Sequence, residues 1–364
     1  PITVGNNPWP RNAYSGYRGL LTYRMSLDIS SNAGTVDALN KLGIDKSLEY
    51  LEKMNIISSD DPENDSIITA KENPRVNDEN PSALALGGMT NGLTPIELTA
   101  AYGTIANDGT FIEPKIVTKI LDNNGNVIVD DTTTKKVEVS DNKTAYIMKN
   151  MLKTVVDNGY TAKSAKLDNM ATAGKTGTTN DEADIWFVGF TPYYVIGTWI
   201  GNDTPSLVLN NGSIVASQFW NEVAETVHQD LEPIAEFEEP EGIVSEYISY
   251  KSGKLSTRSV SSAGHSTSEI FVDGTQPTEY DDSYKSFSVC TVSGRLSTKW
   301  CPSTSSRYAF VRDEPYDPDD HGGVVPDDVN YVPSSYCNVH TQSSYNDWYY
   351  GPYGPGYSYS SGSS

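Results

Sequence analysis

The chain has 364 residues, 37% hydrophobic content and 23 tyrosines, enough for more than one folded domain, which excludes a wholly disordered protein. Its 48 acidic residues outnumber 26 lysines and arginines, and the formal net charge of −22 disfavours nucleic acid and anionic membrane surfaces as partners. No apolar run approaches the ~18 residues that a membrane span needs, and no signal peptide is visible. Pro1 stands where a methionine would begin a complete chain, so a cut end is expected, with any membrane anchor or export signal upstream.

Helix-like and strand-like patterns alternate over residues 1–230. Leu39, Leu42, Leu48, Leu51 and Met54 follow mostly helical spacing after Asn32. Pro95 to Ala106 predicts a helix with proline in its first turn. Ile116 to Leu121 and Val127 to Val129 flank Asn124-Gly125 and predict a hairpin. Ser140 is the expected N-cap of a helix running to Val156. Strands are expected at Trp186 to Phe190 and Tyr194 to Ile200, then a helix from Ser217 to His228. Residues 231–242 are acidic and proline-bearing, and read as a linker.

Residues 243–340 repeat themselves. Lys251-Ser252-Gly253-Lys254-Leu255-Ser256-Thr257-Arg258 returns 41 residues later as Val292-Ser293-Gly294-Arg295-Leu296-Ser297-Thr298-Lys299, each copy behind a strand-like segment, and each predicts a small β-hairpin module. Residues 341–364 are rich in Tyr, Gly, Ser and Pro, a composition expected to be disordered.

The most chemically loaded segment is Ala173-Gly174-Lys175-Thr176-Gly177-Thr178-Thr179, followed by the apolar Ile185 to Phe190. It reads as an edge strand facing a cleft. Lys175 offers a point charge to a carboxylate, and Thr176 and Thr178, two apart, put their hydroxyls on one strand face. Gly177 lets a ligand approach the backbone.

This run resembles the K-T-G-T-T element of penicillin-binding proteins. Three more segments resemble the transpeptidase domain of the high-molecular-weight members, in family order. Leu20 to Asn32 is similar to the helix that ends in the family's S-x-N, here Ser30-Ser31-Asn32. Gly92 to Pro114 is similar to the helix and glycine turn after a T-P dipeptide, and Asp184 to Pro192 with Trp199 to Asp203 to the strands after K-T-G. The resemblance implies an α+β fold of the β-lactamase/transpeptidase type, an antiparallel sheet flanked by helices. It also implies roles for individual residues. Ser30 would pass a proton to the departing amine, and the Asn32 amide would hold the substrate's peptide carbonyl. Lys175 would set the site's electrostatics. Thr176, Gly177, Thr178 and Thr179 would line the substrate strand, with the Thr178 N–H as one oxyanion donor. The implied reaction is D,D-transpeptidation of peptidoglycan stem peptides through a serine ester, with β-lactams as trapped mimics. No cofactor or metal is implied, and membrane contact would come only through an anchor upstream. The implied location is the outer face of a bacterial cell membrane.

The family's nucleophilic S-x-x-K is not recognisable. The one serine with a lysine three residues on, Ser140-Asp141-Asn142-Lys143, comes after Ser30 in the chain, against family order, and reads as a helix cap. The nucleophile is therefore expected upstream of Pro1, and the chain alone is expected to be inactive. His228, His265, His321 and His340 offer no substitute Ser-His-Asp set. Asp122 to Asn126 begins like a calcium loop, but Val127 stands where that loop needs glycine. Cys290 and Cys301 bracket the second repeat, and a disulfide between them is the first reading. Cys337 with His340 would extend the pair to a Cys3His zinc set as the alternative. The repeats resemble C-terminal extensions of bifunctional penicillin-binding proteins of Gram-positive bacteria, which implies a glycosyltransferase domain upstream. A serine β-lactamase or D,D-carboxypeptidase, and a noncatalytic wall-binding relic of the fold, remain as other readings.

Overall fold

The structure, a computed structural model, describes residues 2–4, 7–57, 66–158, 162–179, 182–202, 212–311, 317–319, 323–324, 333–349, 353 and 355. The chain forms two compact units. The first is Pro1–Ser15, Leu21–Val244 and Ile270–Gln276, and the second is Gly16–Leu20, Ser245–Glu269 and Pro277–Ser364. Among the described residues no helix is long and apolar enough to cross a membrane.

In the first unit a short hairpin of β1 (Ile2–Val4) and β2 (Asn7–Trp9) precedes helices α1 (Tyr23–Asp28), α2 (Asn32–Leu42) and α3 (Ile44–Lys53). The leucine spacing after Asn32 predicts helix without showing a break. The structure divides it at Gly43, whose φ of 87° ends α2 and starts α3. Helix α4 (Pro81–Leu84) is short, and α5 (Pro95–Ala106) opens as its sequence requires. Thr94 and Glu97 form a capping box and Pro95 occupies the first turn. Strand β3 (Thr110–Ile112) pairs with β6 (Lys136–Glu138), and the exposed hairpin of β4 (Lys119–Leu121) and β5 (Val127–Asp130) lies between them in sequence. Helix α6 (Asn142–Asp157) is capped by Asp141, which accepts from the Thr144 N–H at 2.8 Å. The expected cap, Ser140, sits one residue too early, because its N–H donates to the Gly109 carbonyl beside β3.

The sheet that organises this unit is antiparallel, in the order β7 (Ala173–Thr178), β8 (Asp184–Phe190), β9 (Val195–Gly201). Alternation along β8 splits the core in two. Ile185 and Phe187 pack with Ala216, Trp220 and Ala224 of α7 (Gly212–His228), and the Trp220 ring meets Phe187 edge-on at 5.4 Å. Phe190 points the other way, with Ala173, Leu152 of α6 and Leu27 of α1. Helices thus cover both faces. Residues 231–242, expected as a linker, lie along this unit: the Ile234 carbonyl accepts from the Ala171 N–H at 2.6 Å, and Phe237 packs on Phe190 at 5.6 Å.

The second unit contains most of β10 (Ile243–Ser249), which pairs with β11 (Ser266–Val272), with α8 (Arg258–Ser262) between them, and all of β12 (Tyr284–Cys290), which pairs with β13 (Thr304–Phe310). Val260, Tyr284 and Phe310 form its core. Helix α9 (Gln342–Tyr349) occupies part of the tail expected to be disordered, with Tyr345 stacked on Tyr349 one helical turn on. The tail beyond it, apart from residues 353 and 355, lies outside the described residues.

Candidate active site

The sequence of α1 and α2 fixes the corner on which the site is built. Thr22 caps α1, the Ser30 N–H returns to the Leu27 carbonyl at 3.1 Å, and Ser30 turns left-handed with φ 55°. Such a conformation is unfavourable for a residue with a side chain and is concentrated at functional sites. Ser31 then caps α2, its Oγ accepting from the Gly34 N–H at 3.3 Å. The two adjacent serines therefore differ in role: Ser31 is the helix cap, and the Ser30 hydroxyl is left over from capping.

That hydroxyl meets Lys175. The Lys175 Nζ donates to Ser30 Oγ at 3.0 Å across a sequence separation of 145 residues. The register pairs Lys175 with Val188, opposite in face to Phe187 and Ile185, which pair with Thr176 and Thr178. Lys175 consequently reaches the side of the sheet that carries α1. Thr176 and Thr178 share the other face of β7, which is the terminal strand of the sheet. Gly177 pairs with Trp186, and a Cβ there would stand 3.3 Å from the Trp186 Cβ.

Burial pushes the Lys175 ammonium down to about 8, with the Asp28 carboxylate acting in the opposite direction. Asp28 is a site residue that the motifs did not reveal. Its Oδ2 accepts from Asn158 Nδ2 at 2.9 Å, while its Oδ1 is buried without a hydrogen-bond partner. A carboxylate, a depressed lysine and a hydroxyl are thus gathered at one corner, where a proton can be held or passed.

Two other expected residues are already engaged. Asn32 begins α2 and its Nδ2 donates to the Arg11 carbonyl at 2.7 Å. Thr179 closes the β7–β8 connection: its Oγ1 accepts from the Asp184 N–H at 2.9 Å, and its own N–H donates to the Asp184 carbonyl at 3.0 Å. The Ser140–Lys143 pair lies at the N-terminal end of α6, whereas Asn158 caps its far end beside Asp28. Sixteen helical residues put about 24 Å between these ends. His228 ties α7 to the turn after β8, with Nδ1 2.6 Å from the Ala224 carbonyl and Nε2 2.7 Å from Thr191 Oγ1. A cavity of about 360 Å³ lies elsewhere, between α5 and the Thr191 to Val195 turn, and includes neither Ser30 nor Lys175.

Residues 2–225 match the family model of the penicillin binding protein transpeptidase domain. The chain belongs to this family. Residues 239–286 match a second family model, the C-terminal domain of penicillin-binding protein 1A. Penicillin-binding protein 1A of Clostridium botulinum (strain Langeland) is 34% identical over 84% of this chain and 35% of its own length. Penicillin-binding protein 4 of Bacillus subtilis is 33% identical over 55% of this chain and 29% of its own length. The chain thus spans about a third of the curated relatives it matches. The crystal structure of penicillin-binding protein 1A from Haemophilus influenzae superposes with a TM-score of 0.60 at 24% identity, covering 76% of this chain and 44% of that one. That likeness is one of fold, and it agrees with the mixed α+β arrangement of helices around an antiparallel sheet.

Proposed function

We propose that this chain is the C-terminal part of a peptidoglycan D,D-transpeptidase that acts on the outer face of a bacterial cell membrane. Residues 1–230 carry the transpeptidase portion, 243–340 the repeated modules, and 231–242 the connection between them. The supporting observation is the Lys175–Ser30 contact, made by residues the family motifs single out. In this reading a serine hydroxyl adds to the penultimate carbonyl of a stem peptide. The tetrahedral intermediate collapses to a serine ester as the D-alanine amine leaves, taking a proton through Ser30. An amine of a neighbouring strand then displaces the serine. Thr176 and Thr178 hydrogen-bond the terminal carboxylate, Lys175 sets the electrostatics of the site, and the Thr178 N–H stabilises the oxyanion. Asn32 joins the substrate carbonyl by exchanging its Arg11 contact for it. The attacking serine and its lysine are supplied from outside these residues, so the chain alone is inactive.

The test exposes the product of the complete coding sequence and residues 1–364, side by side, to a fluorescent penicillin and locates the ester by peptide mass spectrometry. We expect the complete protein to be labelled on a serine outside residues 1–364 and the chain alone to stay dark. Ser30→Ala should slow acylation of the complete protein by about 100-fold or more. An ester on Ser30 or Ser140 would overturn the assignment, and a complete protein that binds peptidoglycan without acylation would make it a relic of the fold.

A further inference from the structure

Within the second unit the chain's three cysteines cluster with one histidine, His340. Cys290 Sγ, Cys301 Sγ, Cys337 Sγ and a His340 ring nitrogen all lie within 4.8 Å of one another. The expected disulfide between Cys290 and Cys301 is not formed, and all three thiols are free. His340 Nδ1 is 3.2 Å from Cys290 Sγ and 3.4 Å from Cys337 Sγ. Tetrahedral zinc, with Zn–S near 2.3 Å and Zn–N near 2.0 Å, needs its ligand atoms about 3.5–3.8 Å apart. We propose that Cys290, Cys301, Cys337 and His340 form a closed structural zinc site.

The internal repeat supplies a comparison within one molecule. The Gly253 N–H bonds the Ser249 carbonyl, and the Gly294 N–H bonds the Cys290 carbonyl, at 2.8 and 2.9 Å. The Asp281 N–H donates to the Leu255 carbonyl as the Cys337 N–H does to that of Leu296, at 2.9 and 2.8 Å. The backbone scaffold is therefore shared, with Ser249, Val260 and Asp281 standing where the second copy has Cys290, Cys301 and Cys337. The first copy closes with a half-buried hydrogen bond, Ser252 Oγ to Asp281 Oδ2 at 2.6 Å, and with the buried Ser283 N–H on Asp281 Oδ1 at 2.7 Å. In the second copy all three positions are sulfur, and His340 joins them. A disulfide would use two sulfurs and leave a third thiol and an imidazole at contact distance with no bonding role.

Backbone N–H groups face all three sulfurs. Cys290 accepts from the backbone N–H groups of Val292 and Ser293, Cys337 from those of Val339 and His340, and Cys301 from that of Thr298. N–H groups aimed at each sulfur orient it as a ligand. Four protein ligands leave no open position, so the site holds structure and does not activate water. Binding exchanges thiol protons for the metal and transfers no electrons. The metal would join the β12 turn, the Cys301 turn and the start of α9, whose Tyr345 packs on Trp300 at 5.6 Å.

The experiment takes the full chain, purified without chelator, and measures zinc by mass spectrometry and free thiols in denaturant after metal removal. We expect one zinc per chain and three titratable thiols. Reconstitution with Co2+ should give a thiolate charge-transfer band and the strong ligand-field bands of a tetrahedral site. Cys337→Ser and His340→Ala should each lower zinc retention against a chelator at least about tenfold. A single titratable thiol would establish a disulfide and overturn the proposal. So would three thiols with neither bound zinc nor a tetrahedral cobalt spectrum, a result that needs no variant to fold.

Discussion

At the scale of single residues, Lys175 is where burial and chemistry meet. Its folded pKa of about 8 lies below the ordinary lysine value of 10.5, so between these limits the unfolded chain binds the extra proton. Stability therefore rises with pH from about 8 to about 10.5, and below 8 the full cost of burying the ammonium is present. Denaturant titrations of the chain across this range should show that rise, and Lys175→Met should flatten it. In the complete protein the same titration removes the positive charge offered to a carboxylate, so acylation by an anionic penicillin should fall as pH passes about 8. Lys175→Arg, charged throughout, should lose that limb. Lys175 and Ser30 were legible because lysine, glycine and threonine at strand spacing and a serine pair at a helix corner are distinctive. Asp28 was not. It stands in an ordinary helical turn, and only the packing of α1 against α6 brings it beside Lys175.

At the scale of elements, the corner between α1 and α2 depends on one glycine. A Cβ on Gly34 would lie 2.6 Å from both Cβ and Oγ of Ser26, a buried residue of α1. The two helices would have to separate, and Ser30 between them would shift from Lys175. Gly34→Ala should destabilise the chain by about 1–3 kcal/mol, measured by urea denaturation, even though alanine is the better helix former. Adding Ser26→Gly, which removes the obstructing atoms, should recover part of the loss. Recovery in that double mutant would separate a steric cause from a conformational one, and no recovery would count against helix separation. The same kind of close approach explains what the sequence left unreadable. Periodicity ran through Gly43 because glycine in a helical pattern shows no sign of its φ. Ser140 and Asp141 are both good caps, and the Ser140 bond to Gly109 decided between them. Residues 231–242 have a linker's composition, but Phe237 found an apolar seat on Phe190 that composition cannot foresee.

At the scale of the whole molecule, charge is the property that no single element reveals. With 48 acidic and 26 basic side chains, the acidic groups outnumber the basic ones by 22 however they pair. Several pairs that do form are exposed helix-surface contacts, such as Lys41–Asp37 and Lys46–Glu49, and contribute little. Added salt screens these weak attractions and the excess repulsion together, and with so unequal a balance the repulsion is the larger quantity removed. The melting temperature should therefore rise between low ionic strength and about 0.15 M, where the screening length falls to about 8 Å. The check is a calorimetric scan in a non-binding salt at constant pH, with a chelated sample run in parallel so that the Cys290, Cys301, Cys337 and His340 cluster does not contribute. A melting temperature that falls with salt would mean that the few ion pairs outweigh the excess charge, and that the acidic surface is folded into local networks instead of acting as a diffuse field.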